Sequence, residues 1–198
     1  IDFSANRADG HGIDWPIRYK DISAWYSHVE QFIGVSGEKL NLQQLPDGEF
    51  MPAMSLNIAE KHFKKAVARN FDGRIVTIGR TANLTSELPN QERNKCMYRS
   101  QCDRGCSFGA YFSTQSSTLP AALETNNLTI KTNTLVDSFE YDDTEERITA
   151  VNVINILTKQ RYKLSARIVF LCASTIASNQ ILLNSKSQSM PQGLGNNY

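Results

Sequence analysis

The sequence predicts a mixed α+β protein. Two observations support this: amphipathic helix patterns occupy the first part of the chain, and short β-rich runs with intervening turns fill most of the last third. A third observation is a strand–turn–helix pattern near residues 168–183. We therefore expect a helical and loop-rich part over residues 1–112, which includes a cysteine-containing loop, and a second part over residues 113–198.

Three helices are predicted between residues 19 and 125. The segment "YKDISAWYSHVEQFIGVSG" places apolar residues along one helical face, and Gly34 supplies a stop. A second helix is predicted over residues 57–70, where Asn57 and Glu60 have the spacing of a capping box. A third, shorter helix is predicted over residues 116–125.

The β-rich runs predict a meander of neighbouring strands. "LTIKT", "TLVDSFEY", "ITAVNVINILT" and "QRYKLSA" are separated by the turns "DDTEER" and "TKQR". A short strand is also predicted over residues 74–79. The apolar run 168–172, which includes Cys172, predicts a strand buried on both faces. The small residues Ala173, Ser174 and Thr175 then precede a helix over residues 176–183, a geometry that brings backbone N–H groups up to a ligand.

Three of the four cysteines lie in a long loop that spans residues 80–112. Cys96, Cys102 and Cys106 follow the spacing Cys-x5-Cys-x3-Cys, which is not the Cys-x2-Cys pattern of structural zinc sites. A long loop without secondary structure is usually functional or ordered by a ligand. A disulfide would leave one odd thiol, whereas three thiolates suit a three-iron cluster or a four-iron cluster with one open corner. Spare thiols are the remaining alternative.

Composition narrows the classes of partner. The 198 residues carry a net charge of +1, from 21 basic and 20 acidic side chains, so nothing electrostatic favours nucleic acid or an anionic membrane. No apolar run approaches the ~20 residues of a membrane span. Positive charge is concentrated locally in the cysteine loop, where Lys95, Arg99 and Arg104 either favour thiolates or form a solvated surface.

Several segments, in order, resemble the glucose–methanol–choline (GMC) family of flavin oxidoreductases. "RIVFLCASTIASNQILLNSKS" is similar to the second signature of that family, although Asn179 replaces the usual Pro. "GIDWPIRYKDISAWYSHVEQFIGVSG", "GAYFSTQSSTLPAALETNNLTIKTNTLVDSF" and "MPQGLGN" resemble other family segments. The resemblance implies FAD as cofactor, with Val136 against its adenine and Ala173, Ser174 and Thr175 near the flavin. An ordinary strand role for Val136 is the alternative.

Two family elements do not occur in this sequence. There is no Gly-x-Gly-x-x-Gly fingerprint and no late His with a His or Asn partner, so we assign no catalytic residue, including His11, His28 and His62. The resemblance therefore implies an internal fragment of a longer flavoprotein, with part of the substrate domain, a β-meander and a strand–helix unit of the FAD domain. We expect the fragment alone to be inactive and free of FAD, and to expose an apolar patch where the Rossmann core is missing.

The cysteine loop resembles one branch of the family, the bacterial glucose, gluconate and sorbitol dehydrogenases. The resemblance implies that Cys96, Cys102 and Cys106 hold a [3Fe–4S]-type cluster that relays electrons from flavin to a cytochrome or small subunit. It further implies an alcohol or sugar substrate and the periplasmic side of the membrane rather than the cytoplasm. An oxidase is less favoured, because a relay cluster would be superfluous there. The competing hypothesis is a non-catalytic α+β module whose cysteine loop binds zinc or a protein partner.

Overall fold

The computed structural model describes residues 2–89 and 91–196. The chain divides into two compact units, the first ending at Leu128 and the second beginning at Thr129. The fold is mixed α+β, as predicted. The predicted boundary at residue 112 falls inside the first unit, and the assignment of the two parts to substrate and FAD domains stays a prediction.

The first unit is built from helices and loops. Two short 3₁₀ turns accompany its α-helices. The helices are α1 (Ala5–Asp9), α2 (Tyr19–Ile33), α3 (Ile58–Asn70) and α4 (Thr118–Glu124). Gly34 ends α2 in the left-handed conformation, with φ 76°. At the start of α3, Asn57 Oδ1 accepts from the Glu60 N–H at 2.9 Å and Glu60 Oε2 accepts from the Asn57 N–H at 2.7 Å. The predicted stop and capping box are therefore confirmed.

The strand predicted over residues 74–79 is wrong. This segment is extended but pairs with no strand in the described part of the chain, and Ile75 is 53% exposed. Its β-branched residues give it β-propensity, yet a strand exists only where a neighbour accepts and donates the backbone hydrogen bonds. The nearest pairing follows at Thr81, which bridges Ser36.

The second unit contains the predicted meander. β1 (Thr134–Asp142), β2 (Arg147–Asn155) and β3 (Arg161–Leu164) form an antiparallel sheet in chain order. α5 (Thr175–Asn184) confirms the helix predicted over residues 176–183, and it packs against β1. The buried core of this unit joins the sheet, the helix and the "MPQGLGN" segment through Phe139, Ile181 and Leu194.

The strand predicted over residues 168–172 is also wrong, and "LTIKT" forms no strand either. Ile168 is 71% exposed and Phe170 is 84% exposed. Cys172 is exposed as well, rather than a small buried residue of a strand core. A continuous apolar run forms a buried strand only when other strands flank it and other layers cover it. The apolar patch expected where the Rossmann core is missing stays a prediction.

The apolar face of α2 exists but is not buried. Trp25, Tyr26 and Val29 all remain exposed. Nothing in the described part of the chain is a helix both long and apolar enough to cross a membrane.

Candidate functional site: a cavity lined by three cysteines

The cysteine loop is held in place by backbone hydrogen bonds. The Leu84 N–H donates to the Ala110 carbonyl at 3.0 Å, and the Cys96 N–H donates to the Leu84 carbonyl at 2.8 Å. The Asn94 N–H donates to the Phe108 carbonyl at 2.9 Å. Leu84 and Ala110, which both belong to the loop, are each 0% exposed. The loop is therefore ordered by its own backbone, although it contains almost no regular secondary structure.

Arg93 fastens this loop to the end of α2. The residue is only 3% exposed. Its Nε donates to the Gly109 carbonyl at 2.7 Å and its Nη2 to the Ala110 carbonyl at 3.2 Å. Its Nη1 donates to the Ile33 carbonyl at 2.8 Å and to Gln91 Oε1 at 3.1 Å. All four acceptors are uncharged, so these contacts do not balance the charge of the guanidinium.

The three loop cysteines line one cavity of about 230 Å³. Cys96 and Cys106 are half-buried, and Cys102 is exposed in the 3₁₀ turn Cys102–Arg104. All of them carry free thiols. The Tyr98 N–H donates to Cys96 Sγ at 3.4 Å. The structure thus brings together the three thiols that the sequence singled out.

The surroundings of Cys106 favour its thiolate. Burial raises the pKa of the Cys106 thiol, but the backbone N–H groups of Tyr111, Phe108 and their neighbours together outweigh burial, so the pKa lies below its ordinary value. Burial lowers the pKa of Arg93, and the nearby Cys106 charge opposes that shift. Cys106 and Arg93 therefore interact electrostatically in a poorly solvated region.

The three cations that the sequence analysis singled out are exposed, and one of them lines the cavity. Lys95, Arg99 and Arg104 are all exposed. The Arg99 guanidinium lies 5.5 Å from the centre of the Phe108 ring, and both residues line the cavity. Solvent screens such exposed charges strongly. The buried Arg93 is the cation that interacts with Cys106.

A second cavity, of about 320 Å³, lies in the second unit between β1 and α5. Val136 and Ala173 both line it, so the structure brings these two predicted cofactor-binding residues together. Ser174 and Thr175 follow directly at the start of α5, and both are exposed. Ser174 has φ 72° and ψ 166°, a region that costs a non-glycine residue on the order of 1–3 kcal/mol and is often found at binding sites.

Comparison with protein-family models decides the family. The GMC oxidoreductase model matches residues 8–198. The chain belongs to the GMC oxidoreductase family. A search of curated proteins found no match. As a GMC oxidoreductase domain, the chain is part of the FAD-binding region of a flavoprotein oxidoreductase.

The three thiols of the cysteine cavity do not form a site for a single metal ion. Within residues 2–89 and 91–196, no three His, Cys, Asp or Glu side chains are close enough together to hold one ion. A tetrahedral zinc site needs its sulfurs about 2.3 Å from a common centre. In an iron–sulfur cluster each cysteine sulfur binds a different iron, so the sulfurs stand farther apart around a larger object. The structure places three free thiols on the wall of one cavity.

Sequence reasoning missed Arg93, the residue that organises this site. It lies in a polar stretch, "NQERNKC", in which an arginine is normally solvent-exposed. Its burial depends on Ile33, which is distant in sequence, and on the turn that follows Cys106. No local pattern carries that information.

Proposed function

We propose that this GMC chain is part of an FAD-dependent dehydrogenase that oxidises a CH–OH group of an alcohol or sugar. We further propose that Cys96, Cys102 and Cys106 hold a [3Fe–4S]-type cluster. The observation that carries the proposal is the single cavity lined by all three thiols, in a chain whose family uses FAD. The cysteine spacing resembles that of the glucose, gluconate and sorbitol dehydrogenase branch, which supports the finer assignment.

In this proposal the second unit contributes to FAD binding. Val136 would contact the adenine, and Ala173, which lines the same cavity next to the start of α5, would lie near the flavin. Ser174 and Thr175 would lie near the flavin, where small side chains let the cofactor approach the backbone. Bound flavin supplies the hydride acceptor for alcohol oxidation.

The proton of the substrate hydroxyl is taken by a base that we do not place in this chain. His11, His28 and His62 are exposed and lie apart from the cavity between β1 and α5 in sequence. Within the proposal the electrons leave toward a cytochrome or a small partner subunit at the periplasmic side. The chain alone is expected to bind neither FAD nor substrate productively.

The competing function is a zinc-binding or protein-binding module. Zinc would need a fourth ligand and a more compact arrangement of the thiols than the described residues offer. Iron with acid-labile sulfide supports the cluster, whereas stoichiometric zinc supports the module. Metal analysis of protein purified without oxygen therefore separates the two functions.

The decisive experiment compares variants of the whole protein, purified without oxygen. Absorption spectra report flavin, and low-temperature electron paramagnetic resonance (EPR) reports the cluster. We expect Cys102→Ser to lose the EPR signal while retaining flavin. Cys172→Ser, which changes an exposed cysteine outside the loop, is the matched control and should retain both. Flavin in the wild type without a signal that depends on Cys102 would preserve the flavoenzyme and refute the cluster.

A further inference from the structure

Arg93 is a buried cation whose direct contacts leave its charge unbalanced. It is 3% exposed, and its acceptors are three backbone carbonyls and one amide oxygen. A buried charge is costly unless an opposite charge lies close to it. A nearby anion would therefore lower the free-energy cost of burying the Arg93 guanidinium.

The position of Arg93 is fixed relative to Cys106. Its Nε and Nη2 donate to the carbonyls of Gly109 and Ala110, at 2.7 Å and 3.2 Å. The same turn is closed by the Gly109 N–H, which donates to the Cys106 carbonyl at 2.9 Å. Gly109 has φ 62°, and a Cβ built there would lie 3.3 Å from Arg93 Cγ. The guanidinium therefore bonds to two carbonyls of the turn that follows Cys106, a residue that lines the cavity.

We propose that Arg93 is the built-in counter-cation of the cysteine cavity and that it sets the reduction potential of the cluster through Cys106. This inference rests on the proposed cluster. Three thiolates bring three negative charges to the cavity, and reduction adds one more electron. A fixed buried cation stabilises the more negative, reduced form, which raises the potential. Arg93 acts through Cys106 rather than on the substrate, so it is a positioning residue.

The test measures the midpoint potential of the cluster in the whole protein. The protein is titrated anaerobically with dithionite and redox mediators, and reduction is followed by EPR. We expect Arg93→Gln to shift the equilibrium about tenfold toward the oxidised cluster, a fall of about 59 mV for one electron. Arg93→Lys should keep the midpoint potential close to that of the wild type, because lysine retains the positive charge. Arg104→Gln, which removes an exposed cation of the same loop, should leave the potential unchanged.

A purely structural role for Arg93 gives a different pattern. Iron content would fall equally in Arg93→Gln and Arg93→Lys, and the clusters that remain would keep the wild-type potential. That result would overturn the inference while leaving the cluster assignment intact. A wild-type protein with no cluster signal would instead overturn the cluster, and the inference with it.

A second variant keeps the inference testable if Arg93→Gln does not load a cluster. Arg93→Ala is reconstituted with iron and sulfide in the presence of guanidinium or of an equal concentration of urea. The two molecules have similar shape and donors, but only guanidinium is charged. Recovery of the EPR signal with guanidinium alone supports the counter-cation. Equal recovery with both, or recovery with neither, refutes it.

Discussion

Replacing Gly34 by Ala tests how the end of α2 supports the cysteine loop. Gly34 has φ 76°, and a Cβ built there would lie 2.2 Å from Leu84 Cδ2. Leu84 is 0% exposed, so its side chain has no open space into which it can rotate. Because the Cys96 N–H donates to the Leu84 carbonyl, displacement of Leu84 would also disturb the cavity.

The expected loss of stability has two parts. A left-handed conformation costs a non-glycine residue about 1–2 kcal/mol. Forcing an extra methyl group into a packed core costs about 1–3 kcal/mol. Gly34→Ala should therefore lower the free energy of unfolding by about 2–5 kcal/mol, a large share of the ~5–15 kcal/mol typical of a folded domain.

Tryptophan fluorescence during urea unfolding is a suitable assay. Both tryptophans, Trp15 and Trp25, belong to the first unit, so the signal reports on that unit alone. Gly10→Ala is the matched control. Gly10 also follows a helix with φ 76°, but nothing lies within 4 Å of a Cβ built there. The control should show only the conformational cost, at most about 1–2 kcal/mol.

A double-mutant cycle with Leu84→Ala isolates the steric part. Leu84→Ala removes the methyl group against which the new Cβ would clash, so the two changes together should cost less than their sum, by about 1–3 kcal/mol. Additive effects, or equal losses in Gly34→Ala and Gly10→Ala, would show that Gly34 is needed only for its backbone conformation.

Two further predictions concern other hydrogen-bonded sites. Ser185 is buried and its Oγ accepts from the Phe139 N–H at 2.7 Å, so Ser185→Ala should cost about 1–3 kcal/mol by leaving that N–H unpaired. Faster hydrogen exchange of the Phe139 amide would report this, whereas Ser165→Ala, at an exposed position, should leave exchange unchanged. The backbone N–H groups of Leu40 and Asn41 lower the pKa of Asp47 most, and the positive charge of Arg80 lowers it further. A depressed carboxyl pKa stabilises the fold above the ordinary value of about 4 and loses that effect as pH falls through the lower folded-state value. The difference in urea midpoint between wild type and Asp47→Asn should therefore be largest at neutral pH and should narrow on acidification below about pH 4; a constant difference would contradict this assignment.

The features that could be predicted from sequence are those encoded locally. α2 ends at Gly34 and α3 begins with the reciprocal contacts of Asn57 and Glu60, and each signal spans only a few residues. The meeting of the three cysteines was also predictable, because one loop carries all of them.

The features that could not be predicted depend on partners distant in sequence. The run 168–172 has the composition of a buried strand, but no strand pairs with it in the described residues. Val169 and Leu171 pack against the core, whereas Ile168 and Phe170 stay exposed. Arg93 shows the opposite case. Its polar segment predicts an exposed side chain, yet the guanidinium is buried and donates to the carbonyls of Ile33 and Ala110, which are distant from each other in sequence. Burial in both cases is decided by what the rest of the fold supplies.

The hydrogen bonds that shape the cysteine cavity all lie within one folding unit. They join Ile33, Leu84, Arg93 and the turn Cys106–Ala110, all of which lie before the end of the first unit at Leu128. Domains fold as units, and those nearest the N-terminus fold first as the chain leaves the ribosome. The contacts that position the three thiols therefore lie within the first unit and involve no residue of the β-meander.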